Sequence, residues 1–389
     1  LIFVCGGGLF FISGVLLKNR AERISFTRSD FFLLAYFFVE ISSVLINGKR
    51  FGIDQYNING LISLLGGIIY YFVLRIAIQN RQQVFFLYKL YFFAACIPSL
   101  FSIFNFFCWK MGVSHALPWG IFISKTGNFR AAGFAHEPSN FALYLSSVLM
   151  LGLYLYFGKR VKNKKSYLLM LSIIVISLIL TLSRFLLLIP FLMFWFFIVN
   201  TNTRKIFSRF MLYIIFLTMI IFISYKINPN IYKEMSYKTY RTIQQLQDED
   251  KALHLGRFKS IIIGWKIFQN NKILGIGINN LSERLMFEYS GLTFNRNAVH
   301  SRFVLTLVTS GIIGFSFYIL FILYCTLKKL TFKELFLLPQ HPSFCFFVFA
   351  LLLGILKGQI LYSFWFLAAL SATYVVKAVP SRELVKVKK

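Results

Sequence analysis

Negative charge is scarce in this sequence: 13 aspartates and glutamates stand against 42 lysines and arginines over 389 residues. No carboxylate pair with hydrolase spacing stands out among them. Charge of either sign is thin, at 14% of the chain, where a soluble domain spends about 25% to keep its surface wet. Only five cysteines occur (Cys5, Cys96, Cys108, Cys325 and Cys345), odd in number, scattered and mostly inside apolar stretches. That excludes a disulfide framework and offers no metal-ligand spacing. What fills the chain is apolar: 58% hydrophobic residues, 19% aromatics and a mean hydropathy of +0.69. The charges sit in short clusters between apolar runs of about 15 to 24 residues, long enough to cross a hydrocarbon core. A soluble chain built this way would have no wettable exterior.

The net charge of +29 does not point to nucleic acid, because the basic residues lie between apolar runs rather than along one face. They read instead as orientation signals. The runs cover residues 2–17, 31–46, 58–78, 84–107, 140–157, 167–182, 185–199, 210–225, 303–327, 344–356 and 360–376. Basic clusters follow every second run, the densest being Lys159, Arg160, Lys162, Lys164 and Lys165. By the positive-inside rule these face the cytoplasm, as does the C-terminal tail. The expected fold class is therefore all-α: a polytopic transmembrane protein, a single membrane domain over residues 1–389, with about eleven spans. Leu1 lies inside an apolar run with no small-residue cleavage site before its basic flank, so the run reads as a span and not a signal peptide. Some native N-terminal residues are expected to precede it, which makes twelve spans in the full-length chain.

Three segments fall outside on this topology: 49–55, 108–138 and the long stretch 228–301. A loop of such length is expected to be functional. Within it Phe258, Ile261, Ile262, Trp265 and Phe268 recur at helical spacing, which predicts a short helix in or just above the headgroups with Trp265 at the interface. No internal repeat of the kind found in many secondary transporters is present.

The outer segments hold more cations than orientation wants, including Arg130, Arg241, Arg257, Arg296 and Arg302. Most lysines there read as solvated surface. Arginine at a span boundary differs, because guanidinium pairs bidentately with phosphate and survives partial burial. Ser183-Arg184 is the one charged interruption of the apolar stretch 167–199. A tight hairpin would hold Arg184 at the outer boundary, as an anion contact or as a side chain snorkelling to headgroups. Arg257 opens the helix containing Trp265, as an inward-facing anion ligand or a headgroup anchor. His300 begins a span, where a helix N-terminus favours anions and a neutral imidazole; it is a plausible base for a sugar hydroxyl, or a structural histidine. Glu137 precedes a span and Pro138, and serves as acid, cap or partner of Arg130, with capping the simplest role. Gly275-Ile276-Gly277-Ile278-Asn279-Asn280 is no nucleotide loop, since it lacks the Lys-Ser/Thr of a phosphate-binding loop.

Four patches carry a likeness to known proteins: GFAHEPSNFALYL (133–145), LTLSRFLLL (180–188), GRFKSIIIGWKIFQNNKILGIGINN (256–280) and AVHSRFVLTLVTSGIIGF (298–315). At these residues the chain resembles the O-antigen polymerase and O-antigen ligase superfamily over about residues 130–330. It departs at Ser301, where many relatives have Asn, and at Lys272-Ile273-Leu274, where the family usually has Pro before its Gly-x-Gly. The resemblance implies a metal-independent glycosyltransferase without cofactor, working at the outer face of a bacterial inner membrane through the extracytoplasmic loop 228–301. The donor implied is a glycan on undecaprenyl diphosphate. Arg184 and Arg257 would hold the diphosphate and His300 would activate the acceptor or assist the leaving group. Arg130, Arg241, Arg296, Arg302, Trp265 and Glu137 are further candidate substrate contacts. Membrane lipids and the chain-length regulator and flippase of the same pathway are the expected partners, and nucleic acid is not.

Three readings compete: a polymerase joining lipid-linked repeat units, a ligase passing finished glycan to lipid A-core, and a lipid-linked oligosaccharide flippase or secondary transporter. The last should keep ionisable residues at mid-membrane on broken helices, whereas the mid-span charges here are few (Glu40, Arg75, Lys357). The topology is directly testable. A fluorescent protein fused after Lys389 should be fluorescent in the cytoplasm, and alkaline phosphatase inserted between Asp248 and Glu249 should be active; the reverse pattern would invert the whole arrangement.

Overall fold

A computed structural model describes residues 26–113 except 79, then 121–123, 129–135, 137–157, 163–181, 183, 256–281, 288, 299, 301–327, 343–356 and 362–376. Helices occupy the apolar runs: α1 (Arg28–Phe51), α2 (Gln55–Ala77), α3 (Arg81–Ala94), α4 (Cys96–Lys110), α5 (Pro138–Phe157), α6 (Lys164–Leu180), α7 (Gly256–Asn270), α8 (Arg302–Thr326), α9 (Ser343–Leu356) and α10 (Tyr362–Val376). A two-stranded antiparallel hairpin, β1 (Ile121–Ile123) and β2 (Phe129–Ala131), pairs Phe122 with Arg130. Among the described residues, five stretches are long and apolar enough to cross a membrane: Arg28–Gly48, Gln55–Ala77, Arg81–Lys110, Pro138–Tyr156 and Arg302–Thr326. Their outward faces carry large apolar side chains, such as Phe31, Phe38, Leu45, Ile62 and Phe104, all more than half exposed. Such faces suit lipid and not water. The chain is an integral membrane protein.

Local sequence explains the helix ends. Asp54 caps α2 by accepting from the Asn57 N–H, and Asn57 returns the bond to the Asp54 N–H, a reciprocal capping box. The run 84–107 divides at Ala95 into α3 and α4, and Pro98, with no N–H to give to Ala94, stands in the first turn after the break.

Contacts divide the chain into two compact units, one of residues Phe85–Gln244 and one of Leu1–Val84 with Gln245–Lys389. In the first, α6 packs on α4 and α5, with β2 against all three. Phe92 stacks on Tyr167 with centroids 4.3 Å apart, and the Ser102 and Ser177 hydroxyls meet at 2.5 Å. Lipid supplies no hydrophobic drive between helices, so close packing and buried polar bonds of this kind hold them together. In the second unit α8 is central, packed by α1, α7, α9 and α10, and α2 lies on α10. Gly67 leaves the room that the Trp365 indole fills, and Gly354 does the same for the Phe303 ring.

The helix α8 corrects the sequence reading, which ran it as one straight span. Phe303 and Phe315 are twelve residues apart, a rise of about 18 Å in an unbroken helix, yet their ring centroids lie 6.0 Å apart. The bend is at Gly311, whose φ of 63° and ψ of −164° leave the helical region. Hydropathy had no view of it, since both halves are apolar. A break inside a membrane strands the carbonyls of one half and the N–H groups of the other. Here the loop after α7 takes them up. The N–H groups of Ile276 and Gly277 donate to the carbonyls of Val308 and Thr309 at 2.8 Å each, and the Ile312 and Ile313 N–H groups donate to the carbonyls of Lys272 and Ile273 at 2.8 and 3.4 Å. Gly275, at φ 67°, passes so close that a Cβ would lie 2.5 Å from the Val308 oxygen.

Gly311→Ala and Gly275→Val should therefore each destabilise the protein, by about 1–3 kcal/mol from backbone conformation alone, with steric overlap in addition. Thermal unfolding of the detergent-solubilised protein, followed by size-exclusion chromatography, checks this; midpoints within experimental error of wild type for both would contradict the interlocked break.

Candidate functional site

The helix carrying Arg257 and the segment carrying His300 belong to the same unit, and they are joined by packing. Ile263 and Ile267 of α7 share one buried cluster with Ile276 and Leu281 of the following loop and with Val299, Leu305 and Val308 around the first half of α8. Gly264 sits against Val299 and Val304, where a Cβ would lie 3.0–3.1 Å from their methyls. Residues 272 and 273 then reach Ile312 and Ile313. Both segments thus advance in one direction, so the first turn of α7 lies at the same end of the pair as the entry to α8. At 1.5 Å per residue, the Arg257 backbone stands about 10 Å beyond Gly264 toward that end. The sequence pattern laid α7 flat in the headgroups; in the structure its Ile263–Ile267 stripe faces α8. Trp265 and Ile262 face outward, with Trp265 47% exposed and its ring 5.2 Å from that of Phe268.

The entry to α8 is pinned on both sides of position 300. Val299 is 1% exposed within the shared cluster. Ser301 is the N-cap, its hydroxyl accepting from the Val304 N–H at 3.4 Å and donating to the Gly354 carbonyl at 2.7 Å. Asn at this position would cap equally well.

Arg302 points into protein. It is 7% exposed, donates from a terminal nitrogen to the Tyr36 hydroxyl at 2.8 Å, and lies 5.9 Å from the centroid of the Tyr318 ring. Tyr36 in turn donates to Glu40 Oε1 at 2.8 Å, and Thr309 donates to the same oxygen at 3.0 Å. Glu40 is fully buried. A cation and a carboxylate inside a bilayer persist as partners or not at all; removing one of such a buried pair costs about 3–5 kcal/mol.

The loop after α7 is clasped by α1 and α2. The single proton of the Ser43 hydroxyl is shared between two carbonyls, Leu274 at 2.5 Å and Thr309 at 2.8 Å, and Asn47 donates to the Gly275 carbonyl at 3.0 Å. Asn57 donates to the Ile278 carbonyl at 2.7 Å and to the Asn280 side-chain oxygen at 2.6 Å. The glycine-rich stretch is thus held in place by side chains of α1 and α2.

In the other unit, Arg130 donates from Nε to the Thr181 carbonyl at 3.2 Å, the end of α6, where cations are favoured. The Glu137 carbonyl accepts from the N–H groups of Asn140 and Phe141 at 3.1 and 3.2 Å, and its carboxylate accepts from Ser139 at 3.1 Å; this is a helix-start role. Arg184, Arg241, Arg296 and His300 lie outside the described residues, as does the Arg257 side chain and the acidic triplet Asp248-Glu249-Asp250. Sequence reasoning missed the roles of Tyr36, Ser43, Asn47 and Asn57. Glu40 was visible as a mid-span charge, but its partner stands 262 positions away.

Compared with known families, residues 168–319 match the model described as O-antigen ligase. Over those residues the chain is similar to that domain family. The match runs from within α6 through α7, the interlocking loop and the first half of α8 into its second half, and takes in Arg184, Arg257 and His300. No curated protein matches the chain. Within this domain, the α7–α8 contact is the part that tests most directly. Gly264→Ala needs only a small yielding of Val299 and Val304 and should be nearly neutral, whereas Gly264→Leu should cost about 1–3 kcal/mol by overpacking. Thermal midpoints of the two purified variants decide it; equal values would show that the helices are not held at this point.

Proposed function

We propose that this protein is a membrane glycosyltransferase that polymerises undecaprenyl-diphosphate-linked oligosaccharide repeat units at the outer face of a bacterial inner membrane. The observation that supports it most is the parallel packing of α7 on the first half of α8, which brings Arg257's helix turn and the segment around position 300 to one end of one helix pair. In this reading the chain crosses the membrane about eleven times, and residues 228–301 lie on the outer side. The guanidinium of Arg257 holds the diphosphate of the donor, a role that the family likeness also gives to Arg184. His300 accepts the proton of the acceptor hydroxyl as its oxygen attacks the anomeric carbon. The bond from that carbon to the phosphate oxygen breaks, and undecaprenyl diphosphate leaves with its new charge balanced by arginine. The energy resides in the leaving group, so neither ATP nor a metal is required, and positioning and charge stabilisation are the protein's contribution.

The ligase reading shares every one of these groups and differs only in its acceptor, lipid A-core in place of a second lipid-linked unit; the description of the matching family favours keeping it as the second reading. A flippase is less well supported. Transporters use the freed peptide groups of broken helices to bind ions or substrate, whereas the groups freed at Gly311 are bonded to residues 272–277.

Arg257→Ala and His300→Ala should each reduce long glycan chains at least a hundredfold on a gel, with normal amounts of protein in the membrane and no sensitivity of the wild type to EDTA. Chains of normal length in both variants would overturn the assignment. Deletion of the gene separates the readings: surface lipid capped by a single repeat indicates the polymerase, accumulated long lipid-linked chains the ligase, and unpolymerised units held on the cytoplasmic leaflet the flippase.

A further inference from the structure

We propose that Glu40 and Tyr36 of α1 are positioning residues for His300, acting through Arg302; this rests on the reading of His300 as the catalytic base. Both ends of the first half of α8 meet one carboxylate oxygen. Thr309, at the half-helix's end, donates to Glu40 Oε1 directly at 3.0 Å. Arg302, at its start, reaches the same oxygen through the Tyr36 hydroxyl, by bonds of 2.8 and 2.8 Å. Tyr36, Glu40, Thr309 and Arg302 are 0%, 0%, 3% and 7% exposed. Glu40 therefore clamps a rigid rod of two and a half turns against α1, and position 300 is two residues from the clamped end. The other Glu40 oxygen is buried with no hydrogen-bond partner among the described residues, and Glu40 faces Arg302 both through the Tyr36 bridge and as a counter-charge.

That distinction sets the test. Glutamine in place of Glu40 can accept the same two hydrogen bonds and fill the same space, but it leaves the guanidinium without a counter-charge inside the bilayer, where an arginine seeks another anion. Tyr36→Phe keeps both charges and removes the bridge. Each variant should shift the start of α8 while the packing at Gly311 holds.

Two readouts on full-length protein in lipid nanodiscs address this. In the first, diethylpyrocarbonate labelling is followed by mass spectrometry at His300, with the other four histidines as internal references. Glu40→Gln and Tyr36→Phe should change the His300 rate at least threefold and leave the references unmoved. The second readout is turnover of lipid-linked glycan extracted from a strain deleted for this gene. The same variants should lose at least tenfold in kcat with KM within twofold of wild type, and Glu40→Asp, which restores the charge, should recover part of it. Wild-type labelling and wild-type kcat in Tyr36→Phe overturn the proposal, even if Glu40→Gln fails to accumulate. Altered labelling in both variants, combined with full activity of His300→Ala, would uphold the clamp and remove the catalytic reading instead.

Discussion

A helix broken inside a bilayer must find partners for the peptide groups it frees, and the exchange of four backbone hydrogen bonds between residues 272–277 and the break at Gly311 is the constraint on which this unit depends. The exchange fixes three things together. It ends α7 at a set point beside α8, it makes the first half of α8 an independent rod, and it brings the loop within reach of α1 and α2. Ser43 shows the economy of the arrangement, since its one hydroxyl touches both the loop and the break.

The second constraint is electrostatic. Arg302 and Glu40 are each expensive in lipid, and the tyrosine between them lets both keep hydrogen bonds while their charges offset each other. The sequence placed Arg302 at the mouth of a span as a candidate anion contact. The structure turns it inward to Tyr36 and Tyr318, which leaves Arg257 and His300 as the groups of this unit on which the diphosphate chemistry is proposed to rest.

Much of the helical content was legible because transmembrane hydropathy is a strong signal: runs 31–46 and 140–157 fall inside α1 and α5, and runs 58–78 and 167–182 match α2 and α6 to within one and two residues at their C-terminal ends. The family likeness at Gly256–Asn280 and around His300 was legible for a different reason, since those residues combine unusual types at fixed spacing. What was not legible is long-range. Hydropathy averages over Gly311 because Ser310 to Gly314 is apolar or small on both sides. Nothing local to Lys272-Ile273-Leu274 tells that its carbonyls serve a helix forty residues on. Helical periodicity picked out Phe258, Ile261, Ile262, Trp265 and Phe268 as the apolar face of α7, whereas the buried hydrophobic residues that meet Val299 and α8 are Ile263 and Ile267.

Rigidity bears on which chemistry the fold suits. A transporter's broken helix leaves its freed peptide groups open to coordinate substrate or ions. Here, opening the break would cost the four backbone bonds and, with them, the side-chain bonds from Ser43, Asn47 and Asn57, plus the Glu40 clamp. Even at the modest net worth of about 1 kcal/mol per hydrogen bond, the sum is comparable to the whole stability of a typical domain. A glycosyl transfer asks for the opposite of a hinge. Its transition state is stabilised by dipoles and charges that do not have to reorganise as the diphosphate departs, and a half-helix locked at both ends to one buried carboxylate is a scaffold of that kind.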